Sequence, residues 1–415
     1  MEFEDIRNEV ESKAEAVKEP VTQEEPSPQQ ENSDPKVYVP FNASSMGNYR
    51  YEAYNNQNGY SYTPNASYAQ NKTAPSPDAE NFYEILQKKR SIKRLGNAIG
   101  MPLSVFYLGG SVISYLLSFL LIAFMGIEGA NALLVNADFN YVFSALMSVL
   151  LLTVPFIFTA KIIGEKLKNI VSLRLAPKGL ILPTVMLGLG ICGLGNIAAS
   201  TFSYYFEAFF KMPVQDNMMD YNSGWQSFLL VLVCIGIFPA ILEEFAFRGV
   251  VLGALRKHIS DGTAIMVSAA LFGLIHGNLQ QIPFAFIVGI GLGYCTVYTG
   301  SVIPAMIIHA VNNSLSVVLS YVADKTSPLE SGIISVLYLV VLLLIGVCGL
   351  ILLLKNDPAA LKLSNDRSEK ASTKIGWICG SAWMVVFFVL CGLSVLATQF
   401  LPYIMSYLQT VTSGM

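Results

Sequence analysis

The sequence predicts an all-α protein, a polytopic bundle of transmembrane helices with a disordered N-terminal tail. Of the 415 residues, 53% are hydrophobic and only 13% are charged, and the mean hydropathy is +0.50. This balance is typical of membrane proteins and excludes most soluble enzymes. Long apolar segments recur along the chain, and basic residues concentrate in alternate connecting loops, as the positive-inside rule predicts.

The first segment, 1–80, is expected to be a disordered cytosolic tail. It is acidic at its start and then rich in Asn, Tyr, Ser, Gln and Pro. Because it has few aliphatic residues, it cannot bury enough apolar surface to offset the entropy lost on folding. It also lacks the basic and apolar regions of a signal peptide.

The segment 81–400 is expected to form the transmembrane helical domain, followed by a short C-terminal tail at 401–415. About 20 apolar residues cross the hydrocarbon core of a bilayer as a helix. The segment at 263–276 is short enough to be half-buried in the bundle rather than to form a full span. Glycine clusters at 188–195 and 289–293 predict close helix packing. The apolar segments lie at about 102–127, 141–163, 179–206, 225–247, 263–276, 281–299, 301–321, 332–354 and 375–400.

The basic residues predict the orientation in the cell membrane. A cluster at 88–94 precedes the first span, and the loops at 161–178 and 355–374 are also basic, whereas the intervening loops carry only Lys211 and Lys325. This alternation predicts a cytoplasmic N-terminus and an outside C-terminus. The net charge of −3 and the absence of a basic surface argue against nucleic acid as a partner.

Charged residues stand at the end of an apolar run that begins near Trp225. Glu243, Glu244 and Arg248 belong to the stretch ILEEFAFRG. A charge near the bilayer centre costs about 2.5–3.5 kcal/mol on insertion scales, so such residues indicate a functional site. Glu244 and Arg248 are four residues apart and can pair on one helix face. Glu243, about 100° around the helix, is then free to act.

Two of the three histidines, His276 and His309, also lie in apolar segments, and Asn313 follows His309 by one helical turn. A carboxylate and an imidazole beside one water can deprotonate it for attack on a carbonyl. A second histidine and an amide can donate hydrogen bonds to the resulting oxyanion. Glu and His are equally competent Zn²⁺ ligands, and a polar cluster that only fixes helix packing is a third interpretation. His258, in the basic loop LRKHISDG, is expected to be solvated.

Three motifs occur in order, each in an apolar segment. EEFAFRG fits EExxxR, Phe272 to His276 fits FxxxH, and His309 to Asn313 fits HxxxN. Over about 225–320 the chain therefore resembles the CPBP intramembrane protease family, which comprises the type II CAAX prenyl endopeptidases and bacterial relatives that include bacteriocin-immunity proteins.

The resemblance implies an α-helical membrane endopeptidase that hydrolyses peptide bonds of membrane-associated substrates, CAAX-type among them. The expected partners are a membrane-associated peptide or protein substrate and the lipid bilayer. By motif position, the water would be activated by Glu243 and His276, the site supported by Glu244 and Arg248, and the oxyanion stabilised by His309 and Asn313.

Two questions stay open at the level of sequence. No HExxH motif is present, which favours a metal-independent reaction, so no cofactor is predicted; zinc stays an alternative, with Glu243, His276 and His309 as its candidate ligands. The alternative functions are a non-proteolytic membrane scaffold or bacteriocin-immunity factor that keeps the fold, and a proton-coupled transporter. The transporter is disfavoured because no internal repeat relates two halves of the chain.

Overall fold

A computed structural model describes residues 77–212, 219, 221, 224–363, 371–405 and 408, with side chains from residue 81 onwards. The described residues form helices and connecting turns and include no strand, which confirms the all-α prediction. The predicted disordered tail lies outside the described residues except for 77–80.

Ten helices, α1 to α10, follow one another within the described part of the chain. Among the described residues, eight apolar helical segments are long enough to cross a membrane, so the chain is a multi-pass membrane protein. As expected for 263–276, α5 is a shorter apolar helix. The helices are α1 Pro77–Leu134, α2 Ala137–Ile163, α3 Lys178–Phe210, α4 Trp225–Leu255, α5 Asp261–Ile275, α6 Gln281–Thr299, α7 Ile303–Lys325, α8 Pro328–Asn356, α9 Ala371–Cys379 and α10 Ala382–Gln399.

Two boundaries differ from the sequence prediction. The loop expected at 128–140 is largely helical, because α1 resumes after a non-helical Gly126 (φ 73°) and α2 begins directly after its N-cap Asn136. The single segment expected at 375–400 is broken between α9 and α10. At that break the Ser381 hydroxyl donates to the Ile378 carbonyl and Asn97 of α1 accepts from the Trp383 N–H, which satisfies backbone groups that the break exposes.

Small residues set the helix spacing, as the glycine clusters predict. Gly190 of α3 crosses α8 at Gly346, where a Cβ on either glycine would collide with the backbone of the other. Gly289 of α6 faces Ala269 of α5, and a Cβ there would lie 3.0 Å from the Ala269 Cα. These close approaches pack α3 against α8 and α5 against α6.

Helix α4 is irregular on both sides of its two glutamates. Wider π-helical turns occupy Leu232–Ile237 and Phe245–Val251. Pro239, just after the first turn, has no N–H to donate within the helix. The Phe247 carbonyl in the second turn accepts from the Ser268 hydroxyl of α5 at 3.1 Å. Such π-turns are frequent at functional sites because they redirect side chains along a helix.

Candidate active site

The Glu244–Arg248 pair is buried where α4, α5 and α6 meet. Arg248 Nη1 donates to Glu244 Oε1 at 2.7 Å, and the two side chains are 1% and 0% exposed. Arg248 Nη2 also donates to the Gly289 carbonyl at 3.4 Å, and its guanidinium carbon lies 4.2 Å from the centroid of the Phe272 ring. The pairing expected from the spacing of four residues is therefore present.

His309 of α7 binds the same carboxylate. Its Nδ1 lies 2.8 Å from Glu244 Oε1. Because an ionised carboxylate only accepts, Nδ1 carries a proton and Nε2 is directed away from Glu244. His309 Nε2 lies 3.9 Å from Glu243 Oε2. Glu244 thus fixes the orientation of His309, a contact over 65 positions of sequence that the motifs did not predict.

A cavity of about 310 Å³ lies on the other side of His309. Four of the candidate residues line it together, namely Glu243, His276, His309 and Asn313. The Glu243 side chain is 22% exposed. Glu244 and Arg248 do not line the cavity and lie behind it. The candidate residues therefore divide into a cavity-lining set and a buried supporting pair.

His276, at the end of α5, presents one defined nitrogen to this cavity. Its Nδ1 lies 2.8 Å from the Phe272 carbonyl oxygen. A carbonyl oxygen can only accept, so Nδ1 is protonated and Nε2 keeps its lone pair in the neutral ring. The Phe272 ring meets His276 and His309 edge to face, with centroids 5.1 and 5.7 Å apart. Phe272 therefore packs against both imidazoles and restricts how each can turn.

Helices outside the motif region hold the end of α5. The Tyr107 hydroxyl of α1 lies 3.0 Å from the Leu274 carbonyl and 2.8 Å from the Ile275 carbonyl. From the last span, Thr398 donates to the Gly277 carbonyl at 3.2 Å. The last carbonyls of a helix have no partner within it, and these contacts supply one. The sequence does not single out these residues, because a tyrosine or threonine in an apolar span has no distinguishing local pattern.

Asn313 is oriented by its neighbour Asn312. Asn312 Nδ2 donates to Asn313 Oδ1 at 3.2 Å, which leaves the Asn313 NH₂ group to donate into the cavity. Asn312 is 2% exposed. The sequence motif points to Asn313 alone, although the adjacent asparagine in the same apolar segment was a visible signal.

The possible zinc site is not formed by these residues. Within the described part of the chain, no group of at least three His, Cys, Asp or Glu side chains is arranged to hold a metal ion. Glu243, His276 and His309 line one cavity but do not form such a group.

Comparisons with known proteins point to the same region. Residues 225–315 match the family model described as type II CAAX prenyl endopeptidase Rce1-like, which lies within the core expected at about 225–320. The membrane-embedded CAAX protease MroQ of Staphylococcus aureus (strain USA300) is 25% identical over 169 residues, covering 39% of this chain and 68% of that protein. No solved structure matches the chain significantly.

Proposed function

We propose that this chain, which belongs to the CPBP family, is an intramembrane endopeptidase that hydrolyses peptide bonds of membrane-associated substrates with an activated water. One observation carries the proposal: Glu243, His276, His309 and Asn313 surround a single cavity inside a helical membrane protein. Burying ionisable groups there is costly, so their convergence indicates chemistry rather than packing.

The attacking water is held between Glu243 and His276. The Glu243 carboxylate accepts from the water, and the unprotonated Nε2 of His276 is a second acceptor at the same cavity. As the water oxygen attacks the scissile carbonyl carbon, its proton passes to one of these two groups. The same proton then moves to the leaving amide nitrogen when the C–N bond breaks, so the pair ends the cycle unchanged.

The oxyanion is stabilised by His309 and Asn313. Asn313 donates from its NH₂ group, and His309 donates from Nε2 when that nitrogen is protonated. Glu244, bonded to Nδ1 of His309 and to Arg248, holds the His309 ring in place.

The substrate is a peptide or protein of the membrane, with the enzyme in the cell membrane and its N-terminus in the cytoplasm. The similar CAAX protease is described as membrane-embedded, and the described part of this chain has eight apolar helices long enough to cross a membrane. The basic loops set the proposed orientation.

Comparative peptidomics of membranes tests the proposal. Cells would express the wild type, Glu243→Gln, or the control Glu128→Gln, whose carboxylate is exposed on α1. We expect cleavage products to disappear and their precursors to accumulate with Glu243→Gln alone. Identical peptide profiles for all three proteins would refute proteolysis and favour the non-proteolytic scaffold.

A further inference from the structure

The start of α6 places a further amide side chain at the catalytic cavity. Gln281, the first residue of α6, lines this cavity together with Glu243, His276 and Asn313. It also lines a second cavity of about 670 Å³. Gln281 therefore lies where the two cavities meet. Neither the activation of the water nor the stabilisation of the oxyanion proposed above uses it.

One backbone donor fixes the orientation of the Gln281 amide. The Gln281 backbone N–H donates to Asn278 Oδ1 at 2.8 Å. Because an N–H can only donate, the bonded atom of Asn278 is its carbonyl oxygen, and its other terminal atom is Nδ2. Asn278 Nδ2 in turn donates to Gln281 Oε1 at 2.9 Å. The Gln281 NH₂ group is therefore directed away from Asn278.

The junction of the two cavities offers donors whose own carbonyl oxygens are already bonded. Gln281 Oε1 accepts from Asn278, and the Gln281 NH₂ group has no hydrogen-bond partner among the residues that the structure describes. Asn313 lines the same junction, and its Oδ1 accepts from Asn312. Both amides can thus donate from NH₂ and match a ligand that brings acceptors.

The loop that joins α5 to α6 holds Gln281 in a fixed relation to His276. Gly277 turns the chain with a left-handed φ of 64°, and a Cβ there would lie 2.6 Å from Ser394 Oγ. The Gly277 carbonyl accepts from the Thr398 hydroxyl at 3.2 Å. A donor that is already oriented before binding loses little conformational freedom when a ligand arrives.

We propose that Gln281 is a substrate-binding residue whose NH₂ group donates to a backbone carbonyl oxygen of the substrate, outside the scissile bond, where the substrate passes from the second cavity into the catalytic cavity. This inference rests on the proposed function and adds a residue that positions the substrate. Every peptide unit carries such an acceptor, so the contact fixes which bond faces the water without selecting side chains. A hydrocarbon chain at this point would leave the NH₂ group unbonded.

Two substitutions at Gln281 separate binding of the substrate from support of the loop. Gln281→Glu keeps an oxygen for Asn278 Nδ2 and puts an acceptor where the NH₂ group was, whereas Gln281→Met removes both polar atoms. We expect KM to rise about three- to tenfold for Gln281→Met, the effect of one neutral hydrogen bond, and at least as much for Gln281→Glu. For Gln281→Met, kcat should stay within about twofold, because the contact is the same before and during the reaction.

A thioamide scan of the substrate identifies the carbonyl that Gln281 binds. The peptide identified by the membrane peptidomics would be synthesised with one backbone C=O at a time replaced by C=S, because sulfur is a weak acceptor. Purified protein in liposomes would hydrolyse each peptide. For the wild type, one replacement outside the scissile bond should raise KM about three- to tenfold. Gln281→Met and Gln281→Glu should bind this thioamide and the unmodified peptide with equal KM.

The matched control is Gln280→Met, since Gln280 lines the second cavity but not the catalytic cavity; it should keep the wild-type response to the thioamide. A Gln281→Glu enzyme that responds to the same thioamide as the wild type, or a wild type with no sensitive position outside the scissile bond, would overturn the inference and leave the proposed function standing. No cleavage of the unmodified peptide by the wild type, together with unchanged membrane peptides in cells, would overturn both.

Discussion

Replacing Arg248 with Met would remove the guanidinium and keep an apolar side chain of similar length. Glu244 would then be a buried carboxylate that keeps only its contact to His309 among those described above. Breaking a buried ion pair by removing one partner costs about 3–5 kcal/mol. His309 still bonds the same oxygen, which favours the lower figure. The lost contact between the guanidinium and the Phe272 ring adds up to about 2 kcal/mol when it is desolvated. We therefore expect a loss of about 3–5 kcal/mol in the free energy of unfolding.

A double-mutant cycle isolates the charge interaction from the lost packing. Glu244→Gln alone leaves Arg248 buried without a carboxylate partner, whereas Glu244→Gln with Arg248→Met buries no unpaired charge. We expect the double variant to be at least about 2 kcal/mol more stable than the sum of the single losses predicts. The measurement is unfolding in mixed micelles with increasing SDS, followed by tryptophan fluorescence.

The matched control is the pair of Arg256 and Asp261, which lie 2.7 Å apart with 37% and 15% of their side chains exposed. The same cycle with Arg256→Met and Asp261→Asn should give a coupling of about 0–1 kcal/mol, since exposed pairs contribute little. A Glu244–Arg248 coupling no larger than this control would refute the view that α4 is held by a buried charge pair.

Three further predictions concern the rest of the molecule. Tyr107→Phe removes the hydroxyl that bonds the last carbonyls of α5, so we expect a stability loss of about 1 kcal/mol and a lower kcat at constant KM. The exposed control Tyr115→Phe should change neither stability nor kcat. Equal kinetics for the two variants would contradict the role of Tyr107 in positioning His276. His258 is half-buried rather than solvated as expected, and this burial, reinforced by Lys374 and Lys257, lowers the pKa of His258 below its ordinary value of 6.5. Its contribution to stability is therefore present above pH 6.5 and is lost as pH falls through the folded-state pKa, so unfolding midpoints of His258→Gln between pH 7.5 and 5 should fall less than those of the wild type, and parallel curves would contradict this. A cysteine at Lys168 should resist a membrane-impermeant maleimide in intact cells while one at Lys211 should react, and the reverse labelling would overturn the orientation.

Local patterns in the sequence predict much of this fold. The spans follow from apolar runs, and the Glu244–Arg248 pair follows from a spacing of one helical turn. Both depend on neighbours within a few residues, which the sequence displays directly. The break between α9 and α10 does not follow from such a local pattern, because it depends on Asn97 of α1, which lies 286 positions from Trp383.

The candidate site was predicted as a set of residues but not as an arrangement. Motif order indicated that Glu243, His276, His309 and Asn313 act together, and the structure places all four at one cavity. Two of the supporting contacts join separate helices, namely His309 with Glu244 and Tyr107 with the end of α5. The third joins Asn312 to Asn313, two adjacent residues whose side chains are chemically identical. Packing between helices decides these contacts, and a single sequence does not encode it in any local period.

Single-turnover hydrolysis tests the role of Glu243 most directly. Purified wild type, Glu243→Gln and Glu244→Gln would be placed in liposomes with a peptide identified by the membrane peptidomics, and cleavage followed by mass spectrometry. General acid–base catalysis contributes about 10²–10⁴-fold, so Glu243→Gln should be at least about 10²-fold slower with an unfolding free energy equal to that of the wild type or higher. Glu244→Gln should lose stability together with rate, because it removes the charge that balances Arg248. A rate for Glu243→Gln within a few-fold of the wild type would contradict a reaction driven by a Glu243-activated water.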